Sequence, residues 1–303
     1  MDRLLDLRPE QLVKAKGKAL LESIRAAEGR TVVSEMVCPM MPLLYDVTNG
    51  ELAAAMGADI LLLNFYDVYE PAIFGVKPKA GQSPIEALQD LTGRVIGINL
   101  EPVGVEAQVI GSKNDVSPGR KATRETARLA YEQGAAIVNL TGNPKTGVTN
   151  PAIRQAIEEI RCELGNDIGI IAGKMHGAGI KGETAENILS PDDVESFLSA
   201  GADIILAPAP GSVPGITTEY IQRLCNVVHG KGALLMTAIG TSQEGSDIST
   251  IRAIALQSKM TGADLHHLGD AGYAGIALPE NIMEYSIVIR GKRHTYRRMA
   301  MRV

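Results

Sequence analysis

Met56-Gly57-Ala58-Asp59-Ile60, Gln133-Gly134-Ala135-Ala136-Ile137, Ala200-Gly201-Ala202-Asp203-Ile204 and Thr261-Gly262-Ala263-Asp264-Leu265 are four versions of one pattern. In each, a glycine stops a helix-like stretch and small residues lead into an apolar run. Four more apolar runs lie before and between them, at residues 31–37, 95–100, 168–172 and 233–237. Eight short strands alternating with helical segments predict an α/β chain closed as a parallel (βα)8 TIM barrel. The runs lack polar alternation, as expected of strands covered on both faces. In such a barrel, functional groups belong at the C-terminal ends of the strands.

Read in full, the strands are expected at 31–37, 59–66, 95–101, 136–141, 168–176, 203–207, 233–241 and 264–269. Ser83-Pro84-Ile85-Glu86 and Ser190-Pro191-Asp192-Asp193 place a capping serine, a first-turn proline and a third-position acid at helix starts. Asn150-Pro151 reads as a start without the acid. Residues 1–30 are expected to form an N-terminal helical extension, a helix capping the barrel's bottom through Leu4, Leu5, Leu12, Leu20, Leu21 and Ile24. With no linker or change of composition, residues 1–303 read as one domain, the barrel proper occupying 31–303.

The 303 residues suit one barrel of ~250 residues plus that extension. A formal net charge of -5 gives no reason to expect nucleic acid. The one basic cluster, Arg290, Lys292, Arg293, His294, Arg297, Arg298 and Arg302, reads as a solvated last helix or a contact in a homo-oligomer. Cys38, Cys162 and Cys225 are widely spaced, which suits a reducing compartment and forms neither a disulfide framework nor a zinc motif. The start of the chain lacks the apolar core of a signal peptide, and no apolar run reaches the ~20 residues that span a bilayer. The expectation is a cytoplasmic protein without a membrane partner.

At the strand ends, polar residues recur at the i, i+2 spacing that shares one strand face: Asn64 and Tyr66, Asn99 and Glu101, Asn139 and Thr141, Lys174 and His176, with Thr237 and Thr241 four apart. Polar atoms are costly among apolar helices, so these side chains are expected to turn inward as one ring at the mouth. Lys174, Glu101 and His176 are its ionisable members and the candidate catalytic residues. A partly desolvated lysine serves as base or Schiff-base nucleophile, a glutamate orients it or moves protons, and a histidine adds a second acid–base group. Asn64, Asn99, Asn139 and Thr141 are expected to bind substrate hydroxyls.

Barrels often hold phosphate with the loops after strands 7 and 8. Here these loops contain Gly240, Thr241, Gly269 and Gly272, whose backbone N–H groups stand clear of side-chain bulk. A divalent metal is the rival use of the same region, built on His176 and on whichever of His266 and His267 alternation turns inward, with Glu101 or Asp270. Strand 1 carries Glu35-Met36-Val37 rather than a His-x-His pair, so no metal ligand is assigned and no cofactor is expected. The 70–82 loop has the length and place of a lid over the mouth.

Residues 57–68, with 134–142 and Gly173-Lys174-Met175-His176, resemble the BtpA family of phosphate-barrel-like proteins, which implies the fold rather than a reaction. Tyr45-Asp46-Val47-Thr48-Asn49-Gly50-Glu51-Leu52-Ala53 is similar to the start of the phosphoenolpyruvate mutase and isocitrate lyase superfamily. That second resemblance implies magnesium and a 2-oxo acid or phosphonate substrate. The chain departs from it after strand 3, where Asn99-Leu100-Glu101-Pro102 replaces the acidic metal-binding residues, so that superfamily's catalytic residues are not carried over.

Together these readings predict an enzyme acting on a small anionic, phosphorylated sugar or 2-oxo acid by lyase, aldolase or isomerase chemistry. The alternatives are a metal-dependent hydrolase or lyase using His176 and His267, and a non-catalytic ligand-binding barrel.

Overall fold

The computed structural model describes residues 2–104, 107–177 and 179–301. Eight parallel strands, β1 (Thr31–Val37), β2 (Ile60–Asn64), β3 (Val95–Leu100), β4 (Ile137–Leu140), β5 (Gly169–Gly173), β6 (Ile204–Pro208), β7 (Leu234–Ile239) and β8 (Leu265–Leu268), pair in sequence order, and β8 returns to β1 to close the barrel. The helices are α1 (Pro9–Leu12), α2 (Gly17–Ala26), α3 (Asn49–Ala55), α4 (Pro84–Thr92), α5 (Arg124–Glu132), α6 (Asn150–Leu164), α7 (Pro191–Ala200), α8 (Thr218–Gly230), α9 (Ile248–Met260) and α10 (Pro279–Ala300). Both serine capping boxes form as expected, while the cap of α6 is Thr149, one residue before Asn150.

The repeated glycine-to-strand pattern has a physical basis at the bottom rim. Gly57, Gly134, Gly201 and Gly262 take φ values between 90° and 110°, a turn that costs an L side chain and frees the chain to leave its helix. The aspartates that follow clasp the preceding strand. Asp59 accepts the Val32 N–H at 2.8 Å, Asp203 the Ile170 N–H at 2.9 Å and Asp264 the Leu235 N–H at 2.9 Å. Each carboxylate also meets a cation or imidazole: Arg290 at 2.6 Å, Arg161 at 2.7 Å and His229 at 2.8 Å, respectively.

Two apolar cores result. Between strands and helices lie residues such as Leu61, Ile98, Val138, Ile205 and Leu235. Inside the barrel lie Val33, Ile60, Leu62, Val95, Ile137, Ile171, Ile204, Leu234 and Leu265, and this core continues into the N-terminal segment through Leu4, Leu5, Leu12, Leu20 and Ile24. The extension does cap the bottom, but as three pieces rather than one helix: a 3-10 turn at Leu4–Asp6, then α1, then α2. Pro9 fits only the first turn of α1, and Gly17 starts α2 at a φ of 51°. With the lower interior filled by aliphatic side chains, the upper end of the barrel is left open and polar.

The basic cluster at the end of the chain is not simply a solvated face. Arg290 and Arg298 are buried against Asp59, at 2.6 and 2.7 Å, while Arg302 lies outside the described residues. Among the described residues, no helix is long and apolar enough to cross a membrane.

Candidate active site

The strand ends frame a cavity of about 390 Å³ whose lining includes Glu35, Asn64, Asn99, Thr141, Asn143, His176, Gly240, Thr241, Glu244, Gly269 and Asp270. Strand register explains its floor. Asn99 pairs directly with Asn139, so their side chains stand side by side on the inner face, and Asn139 Nδ2 donates to Asn99 Oδ1 at 2.8 Å. Asn99 in turn donates to Glu35 Oε1, whose other oxygen lies 3.1 Å from His267 Nε2. Glu35 is thus a buried carboxylate held by one carboxamide and set beside an imidazole whose nitrogens make no hydrogen bond, on a strand that is otherwise apolar at this depth.

A second chain of contacts runs across the mouth. Asn64 Nδ2 donates to Asp270 Oδ2 at 2.7 Å and to Asn143 Oδ1 at 2.9 Å. Asn143 donates to Glu101 from both its side chain, at 3.0 Å, and its backbone, at 3.1 Å. Glu101 is buried and paired with Arg120, which also lies over the Phe65 ring, 4.1 Å from its centroid. On the opposite side Glu244 Oε1 accepts the Ala271 N–H at 2.9 Å.

Electrostatics separate these groups. Burial, reinforced by the nearby Glu35 and Glu244 charges, pushes the Asp270 carboxyl up to about 8 against the hydrogen bond from Asn64. Burial likewise raises Glu244. The His176 imidazole is held below its ordinary value by burial, which favours its neutral form.

Of the residues expected at the mouth, Asn64, Asn99, Thr141, His176, Gly240, Thr241 and Gly269 line the cavity. Glu101 and Asn139 lie in the hydrogen-bonded layer that supports it. Gly272 packs instead against the backbone of residues 276–278. Lys174 is not brought into the ring. It lies just beyond β5, after Gly173 at a φ of 146°, and it is fully buried against both oxygens of Glu183, at 2.6 Å each. The inner face of β5 is carried by Ile171 and Met175. The expected inward turn fails because the loop after β5 supplies a carboxylate among the helices, which removes the cost of putting an ammonium there.

Tyr66 and Thr237 also leave the ring. Phe65 takes a φ of 60°, ending β2, and the Tyr66 hydroxyl donates to Gln133 at 2.7 Å in the outer layer. Thr237 pairs with His266, and both face the helices, where His266 meets the Tyr285 hydroxyl at 3.2 Å. Burial lowers His266 to about 4. His267 is therefore the inward member of that pair, as alternation requires. None of residues 70–82 lines the cavity.

Sequence reasoning did not assign Glu35, Asn143 and Glu244 to the site. Glu35 carried a signal, a lone acid inside an apolar strand, whereas Asn143 and Glu244 lie in loops whose paths no periodicity defines. Among the described residues, no group of three or more His, Cys, Asp or Glu side chains is placed to hold a metal ion.

No curated protein matches this sequence. Among solved structures, the chain is similar to a 2,3-dimethylmalate lyase, a member of the PEP mutase/isocitrate lyase superfamily, at 14% identity and a TM-score of 0.46, over 88% of this chain and 81% of that one. It is also similar to QR15, an aldolase, at 14% identity and a TM-score of 0.48, over 87% and 99% of the two chains. A thiamine phosphate pyrophosphorylase from Pyrococcus furiosus aligns at 13% identity and a TM-score of 0.49, over 87% and 97%. The BtpA resemblance has no counterpart among these proteins, and identities this low transfer no residue roles. The chain belongs to the family described as Domain of unknown function (DUF7916), which matches residues 5–303.

Proposed function

We propose that this chain is an enzyme of lyase, aldolase or isomerase type that moves protons on a small hydroxylated carbonyl compound at the mouth of the barrel. The observation that carries the reading is a single cavity lined by the carboxyl groups of Glu35, Glu244 and Asp270, together with the carboxamides of Asn64, Asn99 and Asn143. Two carboxyls in different environments are the ordinary means of running acid and base chemistry at one pH. Asp270, whose carboxyl is raised by burial, donates to the carbonyl oxygen, while Glu35, oriented by Asn99, accepts the proton from carbon or hydroxyl. The asparagines hydrogen-bond the substrate's hydroxyls, and His176 stands by as a neutral imidazole.

Lys174 takes no part in this scheme, since its ammonium is committed to Glu183 beneath the helices. The lining also argues about substrate charge. Among the described residues it holds three carboxyl groups, those of Glu35, Glu244 and Asp270, and no lysine or arginine, which disfavours the phosphate expected at the loops after β7 and β8. The test is proton exchange in D2O with hydroxyacetone, dihydroxyacetone and pyruvate, following loss of the C–H signal next to the carbonyl by NMR. Exchange above the buffer rate, falling about 100-fold or more in Asp270→Asn, is expected from the usual worth of a positioned acid. A wild-type protein that exchanges none of the three overturns the reading.

A further inference from the structure

Arg120, Glu101, Asn143 and Asn64 form an unbroken line of hydrogen bonds that ends on Asp270. Asn143 Oδ1 accepts from Asn64 Nδ2 at 2.9 Å, and Asn143 Nδ2 donates to Asn64 Oδ1 at 3.0 Å, so the two carboxamides are paired reciprocally. Such a pair has two orientations of opposite polarity, and the groups at its ends choose between them. At one end stands Glu101, a carboxylate that accepts and does not donate, and it takes the second N–H of Asn143 Nδ2 at 3.0 Å. Its other oxygen takes the Asn143 backbone N–H at 3.1 Å. Arg120 braces Glu101 twice, through the guanidinium on Oε1 and through a backbone carbonyl that accepts the Glu101 N–H at 2.8 Å.

With Asn143 turned this way, Asn64 has one N–H left to give, and it goes to Asp270 Oδ2 at 2.7 Å. The Phe65 backbone N–H, which donates to Asn64 Oδ1 at 3.0 Å, supports the same orientation. Reversed, the pair would present a carbonyl to Asp270, and the proton of that acid would be spent on Asn64. In the observed orientation Oδ2 accepts, so a proton on the carboxyl belongs on Oδ1 and is not consumed by the pair. Asn64, Asn143 and Asp270 line the cavity, whereas Glu101 is buried behind them.

We propose that Glu101, braced by Arg120, is a positioning residue: through Asn143 and Asn64 it sets the polarity of the contact to Asp270, and so the oxygen on which that acid carries its proton. The inference rests on the reading of Asp270 as the acid of the site.

Charge and polarity act on Asp270 in opposite directions. Loss of the Glu101 charge, with Arg120 left unbalanced, would by itself ease ionisation of Asp270, whereas loss of the Asn64 N–H hinders it. The other groups facing Asp270, Glu35 and Cys38 at the end of β1 and Glu244 after β7, stay in place. The experiment follows the Asp270 carboxyl by carbon-13 NMR through a pH titration of the labelled full chain, its signal identified by its loss in Asp270→Asn. Glu101→Gln puts an N–H where only acceptors stood, and it should raise the midpoint by about one pH unit, the usual worth of one hydrogen bond to a charged group. In an Asn64→Ala background the same change should give no rise. Should Glu101→Gln fail to fold, Asn143→Ala, which leaves the Glu101–Arg120 pair intact, is expected to raise the midpoint instead. An unchanged or lowered midpoint in the folded variant, or an equal rise without Asn64, overturns the assignment. A raised midpoint in a protein that exchanges none of the ketones in D2O keeps Glu101 in this role and removes only the acid–base reading. Exchange of hydroxyacetone with an unmoved midpoint does the reverse.

Discussion

At the scale of single residues, Asp270 is the most informative group in the molecule. It faces Glu35 and Cys38 from the β1 end, Asn64 from β2, Glu244 from the loop after β7, and its own neighbours after His267. Burial raises its carboxyl in the folded state above the ordinary 3.8, to about 8, which favours the native state at low pH. The stabilising contribution is therefore complete below about pH 4 and is lost as pH rises through 8. Melting curves from pH 5 to 9 should fall for the wild type, and Asp270→Asn should flatten that decline; a wild-type profile as flat as the variant's contradicts the assignment.

At the scale of elements, a strand's face is decided by what waits on each side of it. Alternation was legible in β3 and β4, where Asn99, Glu101, Asn139 and Thr141 all turn inward. It misled at β5, because the polarity of Lys174 was read without Glu183, a partner nine residues on in a loop. The same limit applies to the last helix. Its arginines read as a solvated cluster, yet α10, broken at Gly291, carries Arg290 and Arg298 into the bottom rim, where both meet Asp59. Arg94 adds a third buried guanidinium there, held to about 10 by burial and by Arg298, and it donates to the Ala58 carbonyl at 2.7 Å. Removing the one carboxylate leaves these charges uncompensated. Asp59→Asn should cost about 3–5 kcal/mol in urea unfolding, by the usual penalty for breaking a buried pair. A loss within 1 kcal/mol would show that the backbone carbonyls alone hold the arginines.

At the scale of the whole molecule, the barrel works as a stopper and a cup. The N-terminal segment and the inner aliphatic residues share one core, so the bottom is sealed by burial and the polar layer is confined to the mouth. Leu20, fully buried in α2, belongs to that seal. Leu20→Ala should destabilise the entire fold by about 2–5 kcal/mol, seen as a single shifted denaturation transition. A separate early transition, with the barrel unaffected, would show that the extension is only an appendage.

The sequence by itself determined the number and order of strands, the closure of the barrel and the end at which a polar layer gathers. Those features follow from a local pattern, glycine then small residue then apolar run, repeated down the chain. It also determined that one of His266 and His267 points inward, since alternation is a property of the strand alone, while the tertiary structure decided that it is His267. Only the tertiary structure decided the membership of the site. Glu35, Glu244 and Asp270 come from opposite ends of the chain, and their shared floor is set by closure of β8 on β1. The removal of Lys174 from the mouth is likewise a matter of partners. Where a buried charge lies depends on its counter-charge, and that pairing is made by the folding of loops rather than by the period of a strand.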